Sequence, residues 1–249
     1  MRIFTHSRGV PPRLRASTIR AFMPDKNFTS IGGLEDIIDA SYSLYPNATV
    51  DLSDCPVSGA RLYSGDRYIR DSSGPSGDHA IFTDECTWQM WIYIDSDQVK
   101  SSAFAISYGQ QGETSATNIV MSVKAQKVSG TLRLRSFWEY ASGTNQEATS
   151  SLSPPVDQWC HIAMVREDDP NNAGKCRMRF YVNGCQMRNA NGDLEFLDNS
   201  GAGFEYPAGG TSSRWAIGGL YGSSSFYFTG RIGPVMVYSE ALTDADIQE

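Results

Sequence analysis

What this chain of 249 residues lacks already narrows its function. No stretch approaches the roughly 18 apolar residues that a membrane-spanning helix requires, so membrane insertion is not expected. Histidine is scarce, with only His6, His79 and His161. None stands beside a serine or cysteine arrangement that spells a nucleophile, and neither Gly-x-Ser-x-Gly nor His-Glu-x-x-His occurs. Walker and dinucleotide glycine loops are missing as well. The five cysteines, Cys55, Cys86, Cys160, Cys176 and Cys185, form no close pair, which removes a zinc knuckle and a redox Cys-x-x-Cys. They read either as buried free thiols or as partners in one or two disulfides, one of which could join two chains.

Acidic residues are missing from the first 24 positions, which instead carry Arg2, Arg8, Arg13, Arg15 and Arg20. Of the 21 basic residues, 16 therefore remain to face 28 acidic ones, leaving a body near −12. Such a body repels phosphate backbones, so nucleic-acid binding by the folded part is not expected. The arginine-rich segment, with no counter-charge of its own and interrupted by Pro11-Pro12, is a candidate arm that orders against a partner and anchors to it. No apolar segment of a secretory signal lies between Met1 and Arg20, so conventional secretion is not expected, and Pro11-Pro12 interrupts the helix an organelle transit peptide would form.

Helical runs are also few. Ser30 to Ala40 places Leu34, Ile37 and Ile38 at helical spacing behind Glu35 and Asp36, which predicts one short helix. From about residue 50, apolar runs of strand length recur between Gly, Ser, Asn and Asp clusters, the pattern of an antiparallel sandwich. The clearest are Thr87 to Ile94, Ala103 to Tyr108, Ile119 to Ala125, Thr131 to Tyr140, Trp159 to Arg166, Arg177 to Val182, Trp215 to Ile217 and Arg231 to Tyr238. Asn183-Gly184 is a hairpin signal, because a type I′ turn needs positive φ at both central residues. Leu132, Leu134 and Trp138 alternate with Arg133, Arg135 and Glu139, placing Trp138 in the core beside Trp88, Trp91, Trp159 and Val235. Thr243 and Asp246 stand as Ncap and N3 of a closing helical turn. The expected organisation is an arm with a short helix over 1–49 and an all-β, two-sheet antiparallel jelly-roll over 50–249.

One order of motifs runs through this pattern: Tyr68-Ile69, Phe82 leading into Trp88-Gln-Met-Trp91-Ile-Tyr-Ile94, and Trp159-Cys-His-Ile-Ala-Met-Val-Arg166. Phe180-Tyr-Val-Asn-Gly184, Ile217-Gly-Gly219, Phe228-Thr-Gly-Arg-Ile232-Gly-Pro-Val235-Met-Val-Tyr238 and Ala241-Leu-Thr243 follow. It resembles the concanavalin A-like lectin/glucanase superfamily in its laminin-G-like, pentraxin-like branch. The resemblance covers about four fifths of the chain and implies a jelly-roll with one face or rim able to hold glycans, proteins or calcium.

Hydrolases on this scaffold carry catalytic carboxylates in a pattern like Glu-x-Asp-x-x-Glu, which is missing here, so no enzyme activity and no catalytic residue are expected. Asp84-Glu85, Asp95-Ser96-Asp97 and Glu167-Asp168-Asp169 fall at strand ends, where solvated turn carboxylates are the ordinary case. Calcium would draw on loop oxygens, and the candidates are Asp95, Asp97, Asn189, Asn191 and Asp193, although turn chemistry accounts more simply for the last three. Glycan contact needs aromatic faces beside amides and carboxylates, for which Tyr140, Asn145, Tyr221 and Tyr227 in Gly- and Ser-rich loops are the candidates.

These features order three readings. A virion structural or decoration protein of phage type comes first, a homo-oligomer held by its arm to other subunits of a shell or tail. A glycan-binding adhesin that reaches the cell surface by a non-classical route comes second, and a glycoside hydrolase third.

Overall fold

The computed structural model describes residues 18–22, 34–35, 43–46, 52–53, 60–64, 69–70, 85–97, 102–109, 119–141, 144–171, 173, 176–188, 191–192, 194, 197–199, 214–219, 226 and 228–248. These residues form two antiparallel sheets with strands numbered in chain order. The first runs β14 (Cys185–Gln186), β13 (Cys176–Val182), β12 (Trp159–Asp168), β7 (Cys86–Ile94), β17 (Thr229–Tyr238), β5 (Ala60–Ser64) and β4 (Leu52–Ser53). In it β1 (Thr18–Phe22) flanks β17 and β15 (Leu197–Asn199) flanks β13. The second runs β11 (Thr144–Thr149), β10 (Thr131–Ala141), β9 (Ile119–Val128), β8 (Ser102–Gly109), β16 (Arg214–Ile217), β6 (Ile69–Arg70), β3 (Ser43–Pro46) and β2 (Leu34–Glu35). No described helix is long and apolar enough to cross a membrane.

The core lies where the two sheets face each other, and the period of two along each strand decides who enters it. Along β7, Cys86, Trp88, Met90, Ile92 and Ile94 point inward and are fully buried. They pack with Cys160, Ile162 and Met164 of β12, Met178 and Phe180 of β13, and Ile232, Val235 and Val237 of β17. Val123 and Ala125 of β9 and Leu134 of β10 close the core from the second sheet.

Trp88 and Val235 thus occupy the core as the sequence suggests, but Trp91 and Trp159 do not. Both are half-buried. Trp88 and Trp91 are three positions apart, an odd offset, so the two tryptophans must face opposite sides of one strand. Trp159 is paired with Tyr93, on that same outer side. The side chain of Trp138 lies outside the described residues.

Part of the outer side is sealed by the end of the chain. Ala163, Val165, Tyr181, Met236 and Tyr238 pack beneath Leu242 and Ile247 in a second, smaller cluster. Thr87 Oγ1 donates to the Glu240 carbonyl at 2.8 Å and accepts from the Leu242 N–H at 2.9 Å. Arg179 is buried and donates to Glu167 Oε2 at 2.8 Å, Asp244 Oδ1 at 2.6 Å and the Leu242 carbonyl at 3.1 Å, as a guanidinium held this deep must. Helix α1 (Asp244–Gln248) is capped reciprocally: the Thr243 N–H donates to Asp246 Oδ2 at 3.0 Å and the Asp246 N–H to Thr243 Oγ1 at 3.3 Å. The hairpin at Asn183-Gly184 has φ of 51° and 74°, the left-handed pair a type I′ turn needs.

Two expectations for the amino-terminal part meet a different structure. Leu34–Glu35, inside the stretch read as a helix, form β2 and pair with β3; the rest of 30–40 lies outside the described residues. A helix of about 11 residues is marginal by itself, and ladder hydrogen bonds to a neighbouring strand outweigh its local propensity. Arg20 belongs to β1, which pairs with Met236, Val237 and Tyr238 along the free edge of β17. Strands before residue 50 are therefore stitched into both sheets, because β17 and β6 leave backbone groups that another strand can satisfy. Arg2, Arg8, Arg13 and Arg15 lie outside the described residues.

The two faces of β7 and β12 differ enough in burial to be separated by mutation. Trp88→Ala should cost about 3–5 kcal/mol. Trp159→Ala should cost roughly half that or less. Urea denaturation of both variants checks this, and an equal loss would mean that the outer face is packed as tightly as the core.

Candidate functional site: an aromatic patch with a carboxylate rim

The chain's end covers the Thr87 half of the outer face and leaves the other half to aromatic side chains. Trp159 of β12, Tyr93 of β7 and Arg231 of β17 are consecutive cross-strand partners. The rings of Tyr93 and Trp159 meet edge to face at 5.9 Å and 75°, and the Arg231 guanidinium carbon lies 4.2 Å from the Tyr93 ring centroid. One row further in, Trp91 and His161 are partners, with ring centroids 5.7 Å apart. All five are partly or largely covered, and His161, with 8% of its surface exposed, is the deepest.

Local sequence shapes this half. The pairing of β17 with β7 breaks between Ile232 and Val235, opposite Trp91. The intervening residues are Gly233 and Pro234, and proline has no N–H to give to a ladder. The bulge interrupts the ladder on one side of Trp91, whose cross-strand partner on the other side is His161. Among the described residues, Trp91 Nε1 and Arg231 Nε are buried without hydrogen-bond partners. Gly230 holds the strands close at this end: its φ is 141°, and a Cβ there would lie 2.0 Å from the Tyr93 carbonyl oxygen.

Carboxylates form the rim. Asp95 follows β7, and its N–H reaches the Thr229 carbonyl at 3.4 Å. Asp157 sits at φ 53°, gives its N–H to the Ile94 carbonyl at 2.9 Å and accepts the Ser96 N–H at 2.9 Å. Burial raises the Asp95 carboxyl above its ordinary range, and Asp97 and Asp157 add to the rise against the pull of Arg231. The hydrogen bonds from Ser96 lower Asp157. Ring faces thus lie beside fixed acceptors and one guanidinium, which suits a ligand with C–H surfaces and many hydroxyls.

The expected ligand residues fall elsewhere. Tyr140 and Asn145 stand on strands β10 and β11 rather than in a loop, beside the pairing break between Glu139 and Ala141, so they share one end of a hairpin. Tyr221 and Tyr227, like Asn189 and Asp193, lie outside the described residues. Asp95 and Asp97 follow central strand β7, while exposed Asn191 lies in the excursion after β14, three strands away or about 14 Å. They would make separate calcium sites, not one. Among the described residues, no three His, Cys, Asp or Glu side chains converge as a metal cluster. Cys86, Cys160, Cys176 and Cys185 are free thiols, and burial pushes Cys86 and Cys160 up to about 12, away from thiolate chemistry.

The motifs from Ile69 to Gln248 match the Laminin_G_3 family model, described as Concanavalin A-like lectin/glucanases superfamily, over residues 69–248. The chain belongs to that superfamily. No curated protein matches it in sequence. In structure it is similar to domain 4 of AbnA, a GH43 extracellular arabinanase from Geobacillus stearothermophilus solved with arabinotriose. The TM-score is 0.60 at 15% identity, over 93% of this chain and 97% of that one. It is similar to the CBM40 of the Ruminococcus gnavus IT-sialidase bound to α2,3 sialyllactose, at TM-score 0.54 and 14% identity, over 76% and 94%. The receptor binding domain of botulinum neurotoxin mosaic serotype C/D gives 0.56 at 14% identity, and there the match covers 93% of this chain but 49% of the toxin chain. At these identities the likeness is one of fold.

His161 gives the patch a pH signature. Burial pushes its imidazole down to about 4 from 6.5. The unfolded chain takes up a proton as pH falls below about 6.5 while the native state does not, so stability present at neutral pH is lost on acidification. Between pH 7 and pH 5, the native protein should lose about 2 kcal/mol more than His161→Phe, measured by urea denaturation at both values.

Proposed function

We propose that this chain is a non-catalytic recognition module that binds glycans on the Trp159–Tyr93–Arg231 row. The observation that carries the reading is that row itself: aromatic faces and a stacked arginine on the solvent side of the first sheet, bordered by Asp95, Asp97 and Asp157. Aromatic rings receive the apolar faces of sugars, and the carboxylates and guanidinium complete their hydroxyls. Two similar folds were solved with arabinotriose and sialyllactose, which supports a saccharide as the ligand class. The carboxylate rim favours neutral sugars here, since an anionic sugar would sit against three acids. Lack of the Glu-x-Asp-x-x-Glu pattern supports binding without hydrolysis.

A glycan array followed by calorimetry tests this. The native chain should bind at least one neutral oligosaccharide without cleaving it. Tyr93→Ala and Trp159→Ala should each weaken that binding about tenfold, the loss of one stacked ring. Binding unchanged in both variants, or no glycan bound at all, would overturn the reading.

The arginine-rich, acid-free start supports a second reading of where the module works: in a virion, as a homo-oligomeric decoration protein anchored to shell or tail subunits. Because β1 belongs to the first sheet, the anchoring part is confined to residues 1–17 with Arg2, Arg8, Arg13 and Arg15. Deleting 1–17 should leave the melting temperature nearly unchanged and abolish incorporation, read by mass spectrometry of purified particles. A chain found only at cell surfaces would place it instead among adhesins.

A further inference from the structure

The aromatic row holds two rings but has only one ring face to offer. Tyr93 lies between its cross-strand partners, Trp159 on the β12 side and Arg231 on the β17 side. The Arg231 guanidinium carbon lies over the Tyr93 ring, 4.2 Å from its centroid. That is close to the roughly 4.8 Å between neighbouring strands, so the ring stands upright with one face turned to β17 and taken by the guanidinium. Its other face looks toward Trp159, whose ring meets it at 75° with 5.9 Å between centroids. An indole at that angle gives its edge, so both broad faces of Trp159 stay clear of Tyr93. Among the described residues no other ring packs on Trp159, which is half-buried with Asp157 and Gln158 exposed beside it.

The two flanks of Trp159 are unequal. On the β7 side Tyr93 and Arg231 form a wall that carries a phenol hydroxyl and guanidinium N–H groups. Asp157, two residues before Trp159, accepts the Ser96 N–H at 2.9 Å, and Ser96 lowers its carboxyl, so it stands as a fixed acceptor at neutral pH. On the far side, among the described residues, β12 has no paired strand at the level of Trp159. Its ladder to β13 begins at Ile162, and the Asn183-Gly184 turn sends the chain back there.

A sugar lying on this indole is therefore blocked on one flank and can be followed by further residues only on the other. Resting on the glycan reading above, we infer that the patch holds one neutral pyranose at the end of a chain. Its C–H face lies on Trp159, its hydroxyls meet Tyr93 Oη, Arg231 and the Asp157 carboxylate, and the rest of the glycan leaves past the Asn183-Gly184 turn. A pyranose chair suits a flat indole because it lines up axial C–H bonds on one face. With a single platform, further sugars add little.

Calorimetry on the intact chain with glucose, galactose, mannose and xylose, and with the di-, tri- and tetrasaccharides built from each, tests the inference. At least one series should bind, with affinity changing less than about threefold from disaccharide to tetrasaccharide. Tyr93→Phe keeps the wall and removes only the hydroxyl, so it should melt as the native chain does and bind about fivefold more weakly. Trp159→Phe keeps a smaller platform and should stay within about threefold, whereas Trp159→Leu should lose about tenfold or more. Affinity that climbs about tenfold with each added sugar, or Tyr93→Phe binding as tightly as the native chain, overturns the single platform and leaves a glycan site in place. If no member of the four series binds, the pyranose end is overturned, and the glycan array decides separately whether the wider reading falls with it.

Discussion

The period of two along β7 is the constraint from which the rest of the structure follows. This strand is central to the first sheet, with β12 on one side and β17 on the other. Its inward residues, Cys86 through Ile94 at every second position, are buried without exception. Once that register is set, Gln89, Trp91 and Tyr93 have nowhere to go but the outer face. A slip of one residue would bring Tyr93 into the core and expel Ile92, so the core and the aromatic patch stand or fall together.

The outer face then divides. Near Thr87 it is closed by Leu242 and Ile247, with Arg179 held by Glu167, Asp244 and a carbonyl. Near Ile94 it is left to aromatic rings and a bulge at Gly233-Pro234. An arginine stacked on a tyrosine and an indole nitrogen without a partner contribute little to stability, and the ladder between β17 and β7 breaks at this place. Breaks of that sort are expected where a surface serves a ligand.

Much of the fold was legible because its signals are local. Asn183-Gly184 needs only two residues to specify a turn, Thr243 and Asp246 cap their helix across three, and the strand cores follow from apolar runs. Residues 34–35 were read as helix because their spacing fits one, but pairing with β3 is a contact over sequence distance that no window contains. The aromatic row went unnoticed in the sequence for a related reason. Tyr140 and Asn145 drew attention as loop residues, whereas Trp91 and Trp159 were expected in the core because they belong to strong strands. The signal against that was present: Trp91 and Tyr93, and Trp159 and His161, are each two apart, and in each strand the intervening residues already supply the core.

Charge bears on what the aromatic patch can receive. Away from its first 24 residues the chain is near −12, a field that holds extended polyanions off. That field is screened over roughly 10 Å at 0.1 M salt, so what decides at the patch is the charge in contact with it. There Asp95, Asp97 and Asp157 stand beside a single guanidinium, that of Arg231, and the nearness of Asp97 and Asp157 is part of what raises Asp95. Under the proposed reading an anionic group would add to that repulsion, which leaves the rings to neutral saccharides.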